Sequence, residues 1–181
     1  MVREYIRKQL YACGGKDLPR QVEIRGRLYR LTRIYKHDFF AATALYEKDA
    51  SGQGSEMPDR VVLKAARMGS FFGVPLGFVG RFLRDHEVSV LERLQDIPNV
   101  PRLIGRYGKY GFFYEYFEGY SLDEKSDVAD DFFRRLSGVL AEIHRRDVVY
   151  LDLNKRGNIL QGRGAAVHII DFQISLHLPG D

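Results

Sequence analysis

Three short apolar segments near the C-terminus each meet a polar side chain with a ligating oxygen. Asp152 follows an apolar segment at 148–151, Asn158 begins a second one, and Asp171 follows a third at 167–170. A carboxylate after one buried strand and an amide at the start of the next can converge on a phosphate-bound cation, because such cations prefer hard oxygen ligands. This constrains the fold, since the strands must lie close enough for the oxygens to meet. The pattern predicts a base and metal ligands for phosphoryl transfer.

Length and composition predict a globular protein. At 181 residues, 45% of them hydrophobic, the chain can bury a core as one domain of two lobes or as two very small domains. It has one cysteine, Cys13, no signal peptide and no apolar span of roughly 18 residues, which predicts a cytoplasmic protein without disulfides.

The positive charge is concentrated at the N-terminal end. Residues 1–36 hold ten Lys or Arg against three Asp or Glu, so this segment carries +7 and the remainder −3 of the net +4. We interpret this excess of Lys and Arg as solvated side chains that flank strands. A nucleic-acid site is the weaker interpretation, because the segment lacks the alternating basic and aromatic residues of a known nucleic-acid-binding module. No nucleic-acid partner is expected.

Hydrophobic periodicity predicts a sheet in the first part of the chain and a mixture of helices and strands after it. The strand pair at 21–24 and 28–35 is predicted to turn at Arg25–Gly26. The other predicted elements are a short helix over 2–11, a polar loop over 49–59, helices over 81–94 and 127–145, and strands over 41–47, 60–65, 102–106, 111–117, 148–151, 158–160 and 167–170.

A lysine in an apolar strand, Val61-Val-Leu-Lys64, needs a partner because a desolvated ammonium group is costly unless it is paired. With the three polar residues above, this strand resembles the signature set of the protein-kinase-like superfamily. The resemblance covers residues 28–176 and is closer to RIO-type and lipopolysaccharide core kinases than to eukaryotic signalling kinases. In this family the lysine contacts the α- and β-phosphates of ATP and pairs with a helix glutamate, here Glu87, with Glu92 the weaker candidate.

The resemblance implies an α+β, bilobal protein-kinase-like fold. The N-lobe at 28–117 would hold a five-stranded antiparallel sheet with one helix, and a minimal or truncated helical C-lobe at 118–181 would hold the catalytic and metal loops. Residues 1–27 would form a basic N-terminal extension.

The segment from Phe113 to Leu122 resembles the hinge of this family, which presents backbone groups to adenine. By that resemblance Tyr114 lies at the back of the nucleotide pocket, Glu115 offers its carbonyl to the adenine amine, and Phe117 offers its amide to a ring nitrogen. Lys36 is a further candidate contact for the nucleotide.

The resemblance also assigns the chemical roles and implies ATP and Mg²⁺ as cofactors. Asp152 accepts the proton of the acceptor hydroxyl or orients that hydroxyl, while Asn158 and Asp171 bind Mg²⁺. Lys155 or Arg156 takes the phosphate-facing place of the loop lysine.

Four departures from the family pattern qualify these roles. The loop from Lys36 to Ala42 has no glycine, so the close phosphate cover is missing or differently built. Tyr150-Leu151 replaces the usual His-Arg, so switching by activation-loop phosphorylation is not expected. Asn158 follows Asp152 by six residues, one more than in the family loop. Gln173 replaces the glycine that follows the metal-binding Asp and Phe.

The acceptor and the extent of the chain stay open at this stage. Ten residues follow Asp171, which leads us to expect a fragment or a minimal kinase with little acceptor platform. A hydroxyl acceptor is predicted, Ser or Thr of a protein first and a lipopolysaccharide or other sugar as the alternative. A pseudokinase that binds nucleotide or regulates a partner is the other alternative.

The apolar segment from Phe71 to Gly80 has no counterpart in the family. Packing between the helix and the sheet is the preferred interpretation, and contact with a membrane surface or a protein partner is the alternative. The segment is far too short to span a bilayer.

Overall fold

The chain divides into two units. A computed structural model describes residues 9–14, 16–49, 57–124 and 127–178. The first unit comprises Met1–Asp85 and Ile104–Tyr116, and the second comprises His86–Leu103 and Phe117–Asp181. The predicted helix over 2–11 and polar loop over 49–59 lie largely outside the described residues.

The first unit is built on an antiparallel sheet of six strands. Its strand order is β1-β2-β3-β4-β8-β7, and a separate two-stranded hairpin, β5 with β6, precedes helix α1. The elements are β1 Gln21–Ile24, β2 Arg27–His37, β3 Ala41–Lys48, β4 Arg60–Ala66, β5 Ser70–Phe71, β6 Val74–Pro75, α1 Gly77–Arg93, β7 Leu103–Tyr107 and β8 Gly111–Glu115. From His86 onward α1 belongs to the second unit, as does the first residue of β7.

The predicted five-stranded sheet is wrong by one strand. β1 pairs with β2 in register, with Gln21 opposite Arg30 and Ile24 opposite Arg27. The connecting residues Arg25 and Gly26 both have positive φ, 49° and 75°, the conformation of a tight hairpin turn. Because the apolar side chains of β1 are buried in the core, this strand belongs to the sheet.

β4 is the central strand, and both of its faces are buried. Val61, Leu63 and Ala65 point into the core of the first unit, which also contains the lone cysteine, Cys13. The alternate residues, including Lys64, face the other side, because successive side chains of a strand point to opposite faces. Burial of each large apolar side chain stabilises the sheet by about 1.5–3 kcal/mol.

The second unit contains one complete helix and three small pairings. β10 pairs with the last strand, and β11 lies between β9 and β12. The elements are β9 Gly119–Ser121, α2 Phe132–His144, β10 Val148–Tyr150, a 3-10 turn Arg156–Asn158, β11 Ile159–Gly162, a 3-10 turn Arg163–Ala165, β12 Val167–Ile169 and β13 Ser175–His177.

The two α-helices whose full range the structure describes begin away from their predicted starts. α2 begins five residues after Asp127, and it buries Phe132, Leu136, Val139 and Ile143. The periodicity also predicted burial of Phe133 and Leu140, but Leu140 is only partly buried and Phe133 is 63% exposed, because it lies about a quarter of a turn from the centre of the buried face. α1 begins before Arg81, so the apolar segment from Phe71 to Gly80 forms the β5–β6 hairpin and the first turn of this helix. Among the described residues, no helix is long and apolar enough to cross a membrane.

Candidate functional site

The loop between β10 and β11 brings the predicted base and one predicted metal ligand together. Asp152 and Asn158 are both buried, and the Asn158 amide donates a hydrogen bond from Nδ2 to Asp152 Oδ2 at 3.1 Å. Lys155 Nζ lies 2.6 Å from the same carboxylate oxygen. A buried carboxylate is costly unless it is paired and hydrogen-bonded, and these two donors supply both requirements.

The extra residue of this loop is absorbed by backbone turns. The Lys155 N–H donates to the Asp152 carbonyl at 3.1 Å, and the Asn158 N–H donates to the Lys155 carbonyl at 2.9 Å. The second bond belongs to the 3-10 turn Arg156–Asn158. The six-residue spacing is therefore compatible with contact between the Asp152 and Asn158 side chains.

Tyr150 is a site residue that the sequence did not identify. Its buried hydroxyl accepts a hydrogen bond from Asn158 Nδ2 at 3.1 Å and donates one to the carbonyl of Ile170 at 3.0 Å. The hydroxyl and the Asp152 carboxylate therefore both accept from Nδ2 and fix the orientation of the Asn158 amide, so that Oδ1 is the atom of this amide that could bind a cation. The available signal was a tyrosine in an apolar strand, because a buried tyrosine usually finds a hydrogen-bond partner.

Asp171 occupies an unusual backbone position next to this network. The Ile170 N–H donates to the Asn158 carbonyl at 2.9 Å, so Asp171 follows a residue that is tied to the other predicted ligand. Its φ is +61°, in the left-handed region that residues other than glycine seldom adopt. Such backbone costs about 1–3 kcal/mol and is concentrated at functional sites.

The turn after Asp171 is held at both ends. Phe172 is buried and packs edge-on against the Tyr150 ring, with ring centroids 5.1 Å apart. Ser175 Oγ donates to the Phe172 carbonyl at 2.6 Å, and the Ser175 carbonyl lies 2.9 Å from His86 Nε2. Since β13 pairs with β10, these contacts connect the turn to the strand that precedes Asp152.

Two predicted nucleotide contacts of the first unit lie in one row across its sheet. Lys36 of β2 is opposite Thr43 of β3, Thr43 is opposite Lys64 of β4, and Lys64 is opposite Phe112 of β8. Directly opposed residues share a face of an antiparallel sheet. The ammonium groups of the half-exposed Lys36 and the buried Lys64 therefore extend from the same face, two strands apart.

The glycine-free loop between β2 and β3 is closed by its own aspartate. Asp38 Oδ1 accepts hydrogen bonds from the N–H groups of Phe40 and Ala41, both at 3.0 Å, and Asp38 Oδ2 lies 2.9 Å from Lys36 Nζ. Burial alone would raise the pKa of Asp38, but the hydrogen bonds from Lys36, Ala41 and Phe40 outweigh it and lower the pKa. Two N–H groups that could otherwise face a phosphate are thus occupied by this carboxylate.

The remaining predicted contacts fall in both units. Tyr114 and Glu115 are the last residues of β8, opposite Val62 and Val61 of β4. Phe117 belongs to the second unit, where its ring stacks on His168 with centroids 3.9 Å apart. Glu87 is buried on α1 in the second unit while Lys64 is in the first, so their pairing stays a prediction.

The donors near Asp152 suit Mg²⁺ held jointly with phosphate. Asn158 Oδ1 and the Asp171 carboxylate are hard oxygen donors, and Mg²⁺ is usually bound by one or two carboxylates together with substrate phosphates. Among the described residues, His, Cys, Asp and Glu form no cluster of three that could hold a metal by themselves.

Comparison with known proteins gives no further guidance. No protein-family model matches this sequence, and no curated protein is significantly similar to it. The assignment of a function therefore depends on the geometry and chemistry of the residues themselves.

Proposed function

We propose that this protein is a cytoplasmic ATP- and Mg²⁺-dependent phosphotransferase with a bilobal kinase-like fold, which transfers the γ-phosphoryl group to a hydroxyl. A Ser or Thr side chain of a protein is the first candidate acceptor. The observation that carries the proposal is the network in which the buried Asp152, Asn158 and Tyr150 are hydrogen-bonded and the exposed Lys155 pairs with Asp152.

In the proposed reaction the acceptor oxygen attacks the γ-phosphorus while the bond to the β-phosphate oxygen breaks. Asp152 orients the hydroxyl and takes its proton, and ADP leaves with the electron pair of the broken bond. Lys155, held beside Asp152, stabilises the negative charge on the phosphoryl oxygens. When bound, Mg²⁺ neutralises charge on the phosphate oxygens, and Asn158 and Asp171 would hold it.

The nucleotide contacts follow from the same proposal. Lys64 would contact the α- and β-phosphates, and Lys36, on the same face of the sheet, would add a second positive charge. The backbone of Glu115 and Phe117 would bind adenine next to Tyr114. Glu87 would pair with Lys64, which would hold the ammonium group in position.

The test of the assignment uses two Asp-to-Asn variants and radiolabelled ATP. For Asp152→Asn we expect turnover to fall by about 10²- to 10⁴-fold, because the base is lost, with Mg-ATP binding retained. For Asp171→Asn we expect the thermal stabilisation by Mg-ATP to disappear; in the wild type, ligand at a hundred times its Kd adds about 2.7 kcal/mol.

Asp147→Asn is the matched control for both variants. Asp147 is exposed, lies just after α2 and has a φ of +57°, which asparagine tolerates well. We expect this variant to keep both turnover and Mg-ATP binding. Full turnover in both Asp152→Asn and Asp171→Asn would overturn the assignment.

A second candidate function, a nucleotide-binding pseudokinase, is supported by the Asp38 turn, the loop between β2 and β3 that the Asp38 carboxylate closes. Because Asp38 occupies the N–H groups of Phe40 and Ala41, the loop would hold the phosphates less closely than a glycine-rich loop does. Mg-ATP binding without transfer to proteins, glycolipids or the chain itself would favour this candidate over the enzyme.

A further inference from the structure

The hairpin β5–β6 and the first turns of α1 expose an unusual number of phenylalanines. Phe72 is 62% exposed, Phe78 63% and Phe82 71%. Val74, between the first two, is also exposed. Several large exposed apolar side chains within one short segment are uncommon on soluble proteins, and exposed apolar surface of this kind marks sites of interaction.

The hairpin places a phenylalanine at its tip. Phe72 and Gly73 form the two-residue turn between β5 and β6, and both have positive φ, 45° and 84°. Glycine or asparagine would adopt the first of these positions with less strain than phenylalanine. Phe72 therefore adds an exposed aromatic ring to the surface, although it makes the turn less stable than glycine or asparagine would.

A buried arginine gives the hairpin a rigid base. The guanidinium carbon of Arg67 lies 3.9 Å from the centroid of the Phe39 ring. Arg67 also donates to the carbonyls of Phe39 and Ser70 at 2.8 and 3.1 Å. The Phe71 ring, next to the tip, packs edge-on against Phe39 at 5.1 Å. The exposed tip is therefore carried by a fixed layer of aromatic rings.

The same arginine positions the start of α1. A side chain at Gly80 would overlap the carbonyl oxygen of Arg67, so the helix backbone packs directly on this residue. Phe78 and Phe82 are four residues apart and share the exposed face of the helix, away from Gly80. The hairpin and the first turns of α1 are thus two parts of one anchored surface.

The segment that forms this surface exposes one cation and contains no acidic residue. Of the four basic residues between Val61 and Arg84, Lys64, Arg67 and Arg84 are buried, which leaves Arg81 as the exposed cation, and the sequence between them has no acidic residue. Arg81 is exposed next to Phe82 on the helix. The first acid beyond it, Asp85, is neutralised by Arg84 and Arg106 at 3.0 and 2.7 Å. The exposed Arg81 attracts anionic headgroups, whereas the same surface of a second copy offers it no acidic partner.

We propose that Phe72, Phe78, Phe82 and Arg81 form a surface that docks on a bilayer containing anionic phospholipids. The phenyl rings enter the boundary between headgroups and acyl chains, while Arg81 binds the headgroup phosphates. The contact is peripheral, and it does not depend on the proposed phosphotransferase activity.

The test is co-sedimentation of the full chain with vesicles of phosphatidylcholine, with and without phosphatidylserine, at physiological ionic strength. The wild type is expected to bind the vesicles with phosphatidylserine and to be released by added salt. The triple variant Phe72→Ser, Phe78→Ser, Phe82→Ser is expected to bind at least about tenfold more weakly. Arg81→Glu is expected to weaken binding only to the anionic vesicles.

Phe133→Ser is the matched control, because Phe133 is 63% exposed on α2 in the second unit. It is expected to bind vesicles like the wild type, and thermal melting confirms that each variant is folded. The proposal is overturned if the wild type does not bind anionic vesicles, or if the folded triple variant binds them as strongly as the wild type does. A triple variant that loses only self-association, measured by light scattering, overturns it in favour of a second copy.

Discussion

Two aspartates at short turns, Asp38 in the first unit and Asp152 in the second, differ in the groups that bind their carboxylates. Asp38 is satisfied by the backbone of its own loop and by Lys36. Asp152 is buried and receives side-chain donors, Lys155 and Asn158, from the loop that follows it. The first arrangement closes a turn, whereas the second assembles groups that can also act on a bound molecule. The partners of a carboxylate, more than the carboxylate itself, separate a structural site from a chemical one.

The largest effect should come from removing the hydroxyl that supports the Asp152 loop. Tyr150→Phe leaves the Asn158 amide and the Ile170 carbonyl each short of one partner, so we expect about 2 kcal/mol lower stability. We also expect a higher Mg²⁺ requirement for turnover, because Asn158 is no longer held in place. Urea unfolding and a Mg²⁺ titration of activity measure the two effects.

Tyr29→Phe is the control for that variant. The Tyr29 hydroxyl is buried in the first unit and donates to the Pro58 carbonyl at 2.8 Å. We expect a comparable loss of stability with an unchanged Mg²⁺ requirement. If both variants shift the Mg²⁺ requirement equally, Tyr150 has only a structural role.

The next effect concerns the charge beside the proposed base. Lys155→Met should reduce kcat by at least about tenfold, because the cation paired with Asp152 is lost, and should leave the KM for ATP nearly unchanged. Arg163→Met, which removes an exposed ion pair with Glu118 at 3.0 Å, is the control and should leave kcat unchanged. Steady-state kinetics of both variants decide whether Lys155 contributes to turnover.

A smaller effect tests whether Asp38 restricts the loop between β2 and β3. Asp38→Ala frees the N–H groups of Phe40 and Ala41, and it removes a negative charge from beside Lys36. We expect Mg-ATP to bind a few times more tightly, measured by calorimetry, together with a modest loss of stability. Weaker or unchanged binding would mean that this loop does not face the phosphates.

The smallest effect is a pH dependence of stability. Because the pKa of Asp38 is lowered in the folded state, its contribution is present above the unfolded value of about 3.9 and is lost as the pH falls through the folded pKa. Asp38 is partly exposed, so the contribution should be only a few tenths of a kcal/mol. The difference in unfolding free energy between wild type and Asp38→Ala should therefore narrow below about pH 4 and stay constant above it.

The sequence predicted the order of most elements because each has a clear period and turn signal. The pair β1 and β2 was confirmed with its turn at Arg25–Gly26, and the helical period of α2 identified its four buried side chains but wrongly included the exposed Phe133. The start of α1 was missed because Gly77 and Gly80 weaken a helical pattern. Gly80 is required because a side chain there would overlap the Arg67 carbonyl, and Gly77 packs against the Tyr110 ring, contacts that a local pattern does not contain.

The candidate site was predictable in its residues and less so in its contacts. Asp152 and Asn158 were expected to converge, and their side chains are hydrogen-bonded. The role of the Tyr150 hydroxyl depends on the Ile170 carbonyl, which approaches only when β11 and β12 pair. The Asp38 turn was missed because a short loop without glycine gives no signal of which N–H groups its aspartate will bind.

Chemical labelling of the lone cysteine, Cys13, can measure how often the core of the first unit opens. Cys13 is 3% exposed in the core of the sheet, and burial raises the pKa of its thiol. The thiolate is the reactive form, so a thiol reagent can modify Cys13 only when this core opens. The labelling rate thus follows the opening of the first unit without an introduced probe. Comparing the effects of Tyr29→Phe and Tyr150→Phe on that rate would show whether the two units open together or separately.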